Sequence, residues 1–360
     1  MKNILLIGGA GYVGTVLTSH FLKKGHKVTV IDNFTYDNQF AIQPYLGDPD
    51  YRFVYGDMGD RQALSDAADG ATDVVLLAGL VGDPITKKYP EASEAVNVRS
   101  IQRTIDFFDS RNIDKLLFIS TCSNYGMIGE DKLAGEDYPL NPLSHYARAK
   151  VANEHYLLDK RDKVDYTAVV LRFSTAFGLS PRMRFDLTVN EFVRDFFMGK
   201  ELLVYDEHTW RPYCHLRDFA RLLNLVLEAD NGKVHFEVFN AGGDINNYTK
   251  KMIVDAIQDH IPDGKVTYGQ NGSDPRNYRV SFARVRQVLG FEPEFTLQNG
   301  VTELITALKH GVFADSIQNR ENYGNYTIRG ESRPSGQKKT SGQKRPSGQK
   351  KTSGQKKPGE

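Results

Sequence analysis

A doubly wound, parallel α/β sheet followed by a smaller C-terminal α/β region is the fold class this sequence predicts, and three observations carry it. Short apolar runs alternate with segments of helical spacing, a glycine-rich turn joins the first run to the first helical segment, and an acidic residue closes the second run. Such runs read as strands buried on both faces, which is the signature of a parallel sheet covered by helices.

The first strand is Ile4-Leu5-Leu6-Ile7, and Gly8-Gly9-Ala10-Gly11-Tyr12-Val13-Gly14 leads from it into the helical run Val16–Leu22. Gly9, Gly11 and Gly14 satisfy G-x-G-x-x-G: the first permits the tight turn, the second lets the backbone reach a pyrophosphate, and the third lets helix and strand pack closely. Phosphate oxygens would meet the free N–H groups and positive dipole end of that helix. Gly8, Gly11, Tyr12, Val13 and Gly14 are therefore the candidate dinucleotide contacts in this Rossmann-type turn. The second strand, Lys27-Val28-Thr29-Val30-Ile31, ends at Asp32, 18 residues beyond Gly14, with Asn33 beside it. A carboxylate there accepts from ribose hydroxyls and repels a 2′-phosphate, so NAD is expected rather than NADP.

Further strands are expected at Arg52–Tyr55, Asp73–Leu77, Lys115–Ile119 and Tyr166–Leu171. The spacing of Ala92, Val96, Ile101, Ile105 and Phe108 predicts a helix between them, as does that from Tyr146 through Val151 and His155 to Leu158. Beyond Leu171 the sequence reads as loop-rich through Trp210; helical runs then follow at Phe219–Leu227 and Lys250–Ile257, with a strand at Lys265–Tyr268. The division expected is a dinucleotide-binding domain over 1–175, with 213–240 returning to it, a substrate-binding region over most of 176–330, and a tail over 331–360.

That tail holds nine Lys/Arg against Glu331 and Glu360, a net +7, so the rest of a chain whose total is +1 carries −6. It repeats Ser-Gly-Gln-Lys with small variations and has no apolar residue to bury, so a solvated extension is expected, with weak electrostatic contact to an acidic partner as its functional alternative. The two cysteines, Cys122 and Cys214, suggest a reducing compartment, and neither belongs to a metal-ligand spacing. The apolar run near Met1 stops after four residues, short of a signal peptide, and no stretch is long enough to span a bilayer, so a cytoplasmic location is the expectation.

Two strand ends carry side chains that suit chemistry. Phe118-Ile119-Ser120 runs into Thr121-Cys122-Ser123-Asn124-Tyr125-Gly126, and Tyr146 and Lys150 stand four apart at the start of a helix, on one face. An ammonium near a phenol favours phenolate, which moves a group that normally titrates near 10 toward the range of a general base, and Thr121 could donate to the same substrate oxygen.

From Lys2 to about Phe313 the chain resembles the extended short-chain dehydrogenase/reductases, specifically the nucleotide-sugar epimerases and dehydratases. The matching pieces are the glycine turn, Gly56-Asp57, Leu77 through Gly82, Asn97, Thr121 through Gly126, Tyr146/Lys150, Leu171-Arg172-Phe173, Arg211 through Asp218 and Asp274-Pro275-Arg276. The resemblance implies that Asp57 and Met58 flank the adenine, that Ala78 and Gly79 line the inner phosphate and ribose with Asn97 nearby, and that Tyr146 and Lys150 hold the nicotinamide ribose while acting on substrate with Thr121. It places Ser123, Asn124 and Thr175 near the sugar, Arg211 and Arg276 on the nucleotide diphosphate, and Arg182, Arg184 and Asn190 where the cleft loop meets the diphosphate, as substrate contacts with helix capping as the alternative. It further implies a nucleotide-diphosphate sugar as substrate and a homodimer built on helix pairs.

Departures from the family pattern narrow the chemistry. Sugar 4,6-dehydratases carry an acid pair after the catalytic threonine, where this chain has Cys122 and Ser123, so water elimination is disfavoured. Ser174 and Thr175 stand where relatives often have asparagine, and Cys122 reads as a small buried residue rather than an acid/base. The expected activity is transient C4 oxidation of an NDP-sugar in a 4-epimerase, with a 4-dehydrogenase releasing a 4-keto product as the alternative and a non-catalytic NAD-binding module as a rival of another class.

Overall fold

In a computed structural model of the chain, residues 1–129, 131–272, 274 and 276–329 are described; the repetitive tail expected over 331–360 lies outside them. Twelve strands are present among these residues: β1 (Asn3–Ile7), β2 (Lys27–Asp32), β3 (Tyr51–Tyr55), β4 (Asp73–Leu76), β5 (Lys115–Thr121), β6 (Thr167–Phe173), β7 (Thr175–Phe177), β8 (Leu202–Tyr205), β9 (Trp210–His215), β10 (Glu237–Ala241), β11 (Asn247–Thr249) and β12 (Val266–Gly269).

Seven of them form one parallel sheet in the order β10-β6-β5-β4-β1-β2-β3. The chain builds outward from β1 through β2 to β3, then crosses back to β4 and continues the other way. The reversal falls between β1 and β4, where Ile7 pairs with Ile31 on one side and Leu76 on the other. Alternate side chains divide between two apolar layers: Leu5, Ile7, Val74, Leu116 and Phe118 pack on one face, and Ile4, Leu6, Val75, Leu117 and Val169 on the other. Burial on both sides is why these strands read as unbroken apolar runs. Each such side chain contributes roughly 1.5–3 kcal/mol by leaving water.

The helix expected over Ala92–Phe108 is broken into helices Pro90–Glu94 and Ile101–Phe108 around a π-helical turn, Ala95–Ser100, which turns Asn97 inward. The region expected to be loop-rich before Trp210 instead contains β7, the helix Thr188–Phe197 and β8. Val189, Val193 and Phe196 are buried along one stripe of that helix, so helical spacing was present but interleaved with polar Asn190, Glu191, Arg194 and Asp195. The strand expected at Lys265–Tyr268 is β12, which pairs in parallel with β8, while β9 joins β7 and β11 in a three-stranded sheet. No helix of the described residues is long and apolar enough to cross a membrane.

Candidate active site

The reversal point opens into a cleft of about 600 Å³ beyond the carboxyl ends of the strands. Gly8, Gly11, Tyr12, Val13, Gly14, Asp32, Asn33, Asp57, Met58, Ala78 and Gly79 line it on the sheet side. Thr121, Ser123, Tyr146, Lys150, Thr175, Arg182, Arg184, Arg211 and Arg276 complete it. Asn97, Asn124 and Asn190 are not among its wall residues.

The glycine turn is built differently from the assignment its spacing suggests. Gly8, not Gly9, takes the left-handed conformation, at φ +82°, and a Cβ there would lie 2.7 Å from the Ala78 Cα. Gly9 lets Leu6 and Val30 close over it, and a Cβ on Gly14 would come within 2.5 Å of the Gly9 carbonyl. Gly11 caps the helix Tyr12–Lys23 without a side chain, which leaves first-turn N–H groups for an anion.

Asp32 closes the adjacent strand. Its carboxylate accepts from the Ala10 amide at 3.0 Å and the Phe34 amide at 2.9 Å, so it is held facing the cleft. Burial pushes its pKa up, and the two amides and the charge of Arg182 oppose that shift. Asn33 donates to Asp57 at 2.7 Å, joining the ends of β2 and β3 above buried Met58. Asn97 accepts from the Leu80 amide at 2.8 Å and donates to the Leu80 carbonyl at 2.9 Å, so it braces the loop carrying Ala78 and Gly79 from behind. A cradle a side chain would fill, an uncapped helix start and a buried carboxylate fit a dinucleotide diphosphate and its ribose.

At the reacting end, Thr121 ends β5 and its hydroxyl accepts from the Ser123 amide at 3.1 Å. The helix His145–Leu158, capped by Ser144, presents Tyr146 and Lys150 one turn apart. Lys150 is 3% exposed; its ammonium donates to the Ile119 carbonyl at 2.6 Å and lies 4.7 Å from the Phe118 ring centre. Burial lowers its pKa to about 8, against the upward pull of Glu154. Burial raises the Tyr146 phenol well above its usual value. The cations that oppose this shift include Arg184 and, less strongly, Arg276, and the Lys150 ammonium stands 5.9 Å from the Tyr146 ring centre.

Glu154, which sequence reasoning missed, organises the wall behind Thr121. Its buried carboxylate accepts from Ser120, from Asn124 at 2.7 Å, and from Arg172 at 2.8 Å through Nη2. Asn124, expected near the sugar, is thus committed to this network. The Cys122 thiol is 1% exposed, donates to the Arg172 carbonyl at 3.1 Å, and has its pKa raised by burial, as suits a packed residue.

Opposite, Arg276 is forked onto Asp274 with two 2.8 Å contacts, stands 3.1 Å from Asp83, and reaches Ser123 at 3.4 Å. Arg211 lies 3.2 Å from Asp274 and 4.9 Å from the Tyr278 ring centre. Arg184 is held by Asp186 at 2.9 and 2.6 Å. Arg182 differs: its 2% exposed guanidinium stacks 5.2 Å from the Tyr36 ring centre and donates to the Gly324 carbonyl at 3.0 Å, on the Asp32 side of the cleft. Asn190 donates to the Tyr12 hydroxyl and the Arg184 carbonyl, both at 2.8 Å, and accepts from the Gly178 amide, so it fastens the cleft loop to the first helix. Among the described residues, Asp83, Tyr278, Asn325 and Tyr326 also line the cleft and carried no readable motif.

Comparison with known proteins matches residues 4–242 to the NAD dependent epimerase/dehydratase family. The chain is 28% identical over 306 residues to a low-salt glycan biosynthesis protein of Haloferax volcanii, covering 83% of this chain and 96% of that one. It is also 28% identical to the UDP-glucose 4-epimerase of Corynebacterium glutamicum over 313 residues, covering 81% of this chain and 91% of that one. Among solved structures, the NAD complex of dTDP-glucose 4,6-dehydratase from Bacillus anthracis superimposes with a TM-score of 0.76 at 23% identity, over 86% of this chain and 97% of that one. Glycine cradle, buried Asp32 carboxylate, Tyr146/Lys150 pair and family match agree: the chain belongs to the NAD-dependent epimerase/dehydratase family, with NAD as its cofactor.

Proposed function

We propose that the protein is a nucleotide-sugar 4-epimerase that oxidises C4 of an NDP-sugar transiently and restores it with inverted configuration. The observation that carries this reading is the convergence of Thr121, Tyr146 and Lys150 in one cleft with the dinucleotide cradle, where the two residues after Thr121 are Cys122 and Ser123 rather than acids. Asp83 and Asp274, the carboxylates beside Arg276, pair with that arginine rather than standing next to Thr121 in the chain.

When bound, NAD supplies the acceptor for the C4 hydride and the donor for its return. Tyr146 takes the proton of the C4 hydroxyl, and the burial that raises its pKa makes the phenolate depend on neighbouring positive charge. Thr121 donates to the same oxygen as it becomes a carbonyl. Lys150 holds the ribose and fixes the helix to β5 through Ile119. Arg211 and Arg276 bind the diphosphate by exchanging carboxylate partners for phosphate oxygens. Asn97, Asn124 and Asn190 act through the backbone and side chains they brace.

The alternative, a 4-dehydrogenase releasing a 4-keto sugar, uses the same residues. A panel of UDP-, GDP-, CDP- and dTDP-sugars read by NMR and by nicotinamide absorbance separates the two: an inverted C4 without net NADH supports the epimerase, and NADH accumulating with a keto product supports the dehydrogenase. We further propose a cytoplasmic homodimer packed through the helix bearing Tyr146, for which light scattering should give twice the chain mass. A nucleotide domain over 1–175 with 213–240 and a substrate region over the rest to 330 complete the reading. The basic tail is assigned at most weak contact with an acidic partner.

A further inference from the structure

Beyond the helix Leu297–Lys309 the chain returns across the cleft, and residues 323–329 touch both of its walls. On the nucleotide side the Arg329 amide donates to the Thr35 carbonyl at 2.9 Å, and Asn325 donates to the Val81 carbonyl at 3.3 Å. Lys88 there donates to the Tyr326 carbonyl and the Thr327 hydroxyl at 3.1 Å each. On the opposite wall the Phe185 amide donates to the Tyr323 carbonyl at 2.7 Å, Arg182 to the Gly324 carbonyl at 3.0 Å, and the Asn325 amide to Asp186 at 3.1 Å.

The sheet order gives these contacts their meaning. β1 lies between β4 and β2, Thr35 follows β2, and Val81 and Lys88 follow β4. A segment bonded to the loops after both neighbours therefore bridges the glycine turn that ends β1. Asn325 and Tyr326 belong to the cleft wall. Residues 324–329 form neither helix nor strand, and the bonds holding them to the two walls fall mostly on backbone carbonyls, a tie that local opening can release without disturbing the core.

We propose that residues 323–329 are a strap over the pyrophosphate-binding turn, part of the NAD site, and that opening of this strap sets the rate at which NAD enters and leaves. Arg182 is its inner fastening, through Gly324, which makes this arginine a residue of the cofactor end of the cleft rather than of the sugar end. The inference needs only the family's NAD, so it stands or falls apart from the epimerase reading.

The test is exchange of bound cofactor: the full-length protein is loaded with radiolabelled NAD, chased with excess unlabelled NAD, and sampled by rapid gel filtration. Lys88→Ala removes two strap contacts from outside the cleft, and Asn325→Ala removes the bond to Val81. Each should release label at least tenfold faster, and the double variant faster still, with the dissociation constant rising less than the rate because entry is eased as well. Release rates within twofold of the parent in all three would overturn the strap. Should the variants lose their cooperative melting transition, hydrogen exchange on the unaltered chain decides: NAD should slow exchange of the Arg329 and Asn325 amides, and equal exchange with and without NAD refutes the proposal.

Discussion

Lys150 and Tyr146 share a helix face, yet the Lys150 ammonium is bonded to the Ile119 carbonyl at 2.6 Å and stands 5.9 Å from the centre of the Tyr146 ring. The lysine thus ties the reacting helix to β5, whose end carries Thr121. The cations acting on the phenol from across the cleft include Arg184 and, less strongly, Arg276.

Tyr146→Phe should retain NAD binding and lose turnover by at least about a hundredfold, the lower end of the general-base contribution. Equilibrium dialysis with NAD and a product assay measure the two effects separately.

The buried Lys150 has its proton affinity lowered from 10.5 to about 8, so folding disfavours its charged form. That cost is fully present below pH 8 and is relieved as pH rises to 10.5, because above that the lysine is neutral in both folded and unfolded chains. Relative to Lys150→Met, the NAD-free parent should therefore gain about 3 kcal/mol of stability between pH 7.5 and 10.5, at about 1.4 kcal/mol per unit. Urea unfolding of both proteins at each pH checks the difference.

Arg276→Ala should raise KM for the nucleotide sugar about 10- to 100-fold, matching the roughly 1.5–3 kcal/mol of a charge-assisted hydrogen bond, with a much smaller change in kcat. It also frees Asp274 and Asp83, so Arg276→Lys should recover only part of the loss: a point charge cannot reproduce the fork. Steady-state kinetics on the three proteins test this.

Gly8→Ala puts a Cβ 2.7 Å from the Ala78 backbone at φ +82°. The strain should cost roughly 1–3 kcal/mol and weaken NAD binding together with stability. Gly11→Ala, whose Cβ meets only the Gly8 carbonyl at 3.5 Å, should spare stability and weaken NAD alone. Thermal melts and NAD titrations distinguish the pair.

What the sequence made legible follows from range. The glycine turn, Asp32 and Tyr146/Lys150 are spacings within one turn or one βαβ unit, and local geometry translates them directly into a site. Glu154 stands four residues beyond Lys150, but its meaning depends on Arg172, a partner that only the packing of β6 brings to it. Asn97 was readable as a family position, while the π turn that points it at Leu80 was not. The strap was invisible because Asn325 and Val81 are 244 residues apart and meet through a backbone carbonyl, which leaves no side-chain pattern to read.

The central claim is that the hydride removed from C4 returns to the same sugar. An NDP-sugar deuterated at C4, once its preferred nucleotide and sugar are found, should give an inverted product that keeps its deuterium at C4, with no deuterium in free NADH or solvent. Deuterium appearing in released NADH, beside a 4-keto product, would contradict the account.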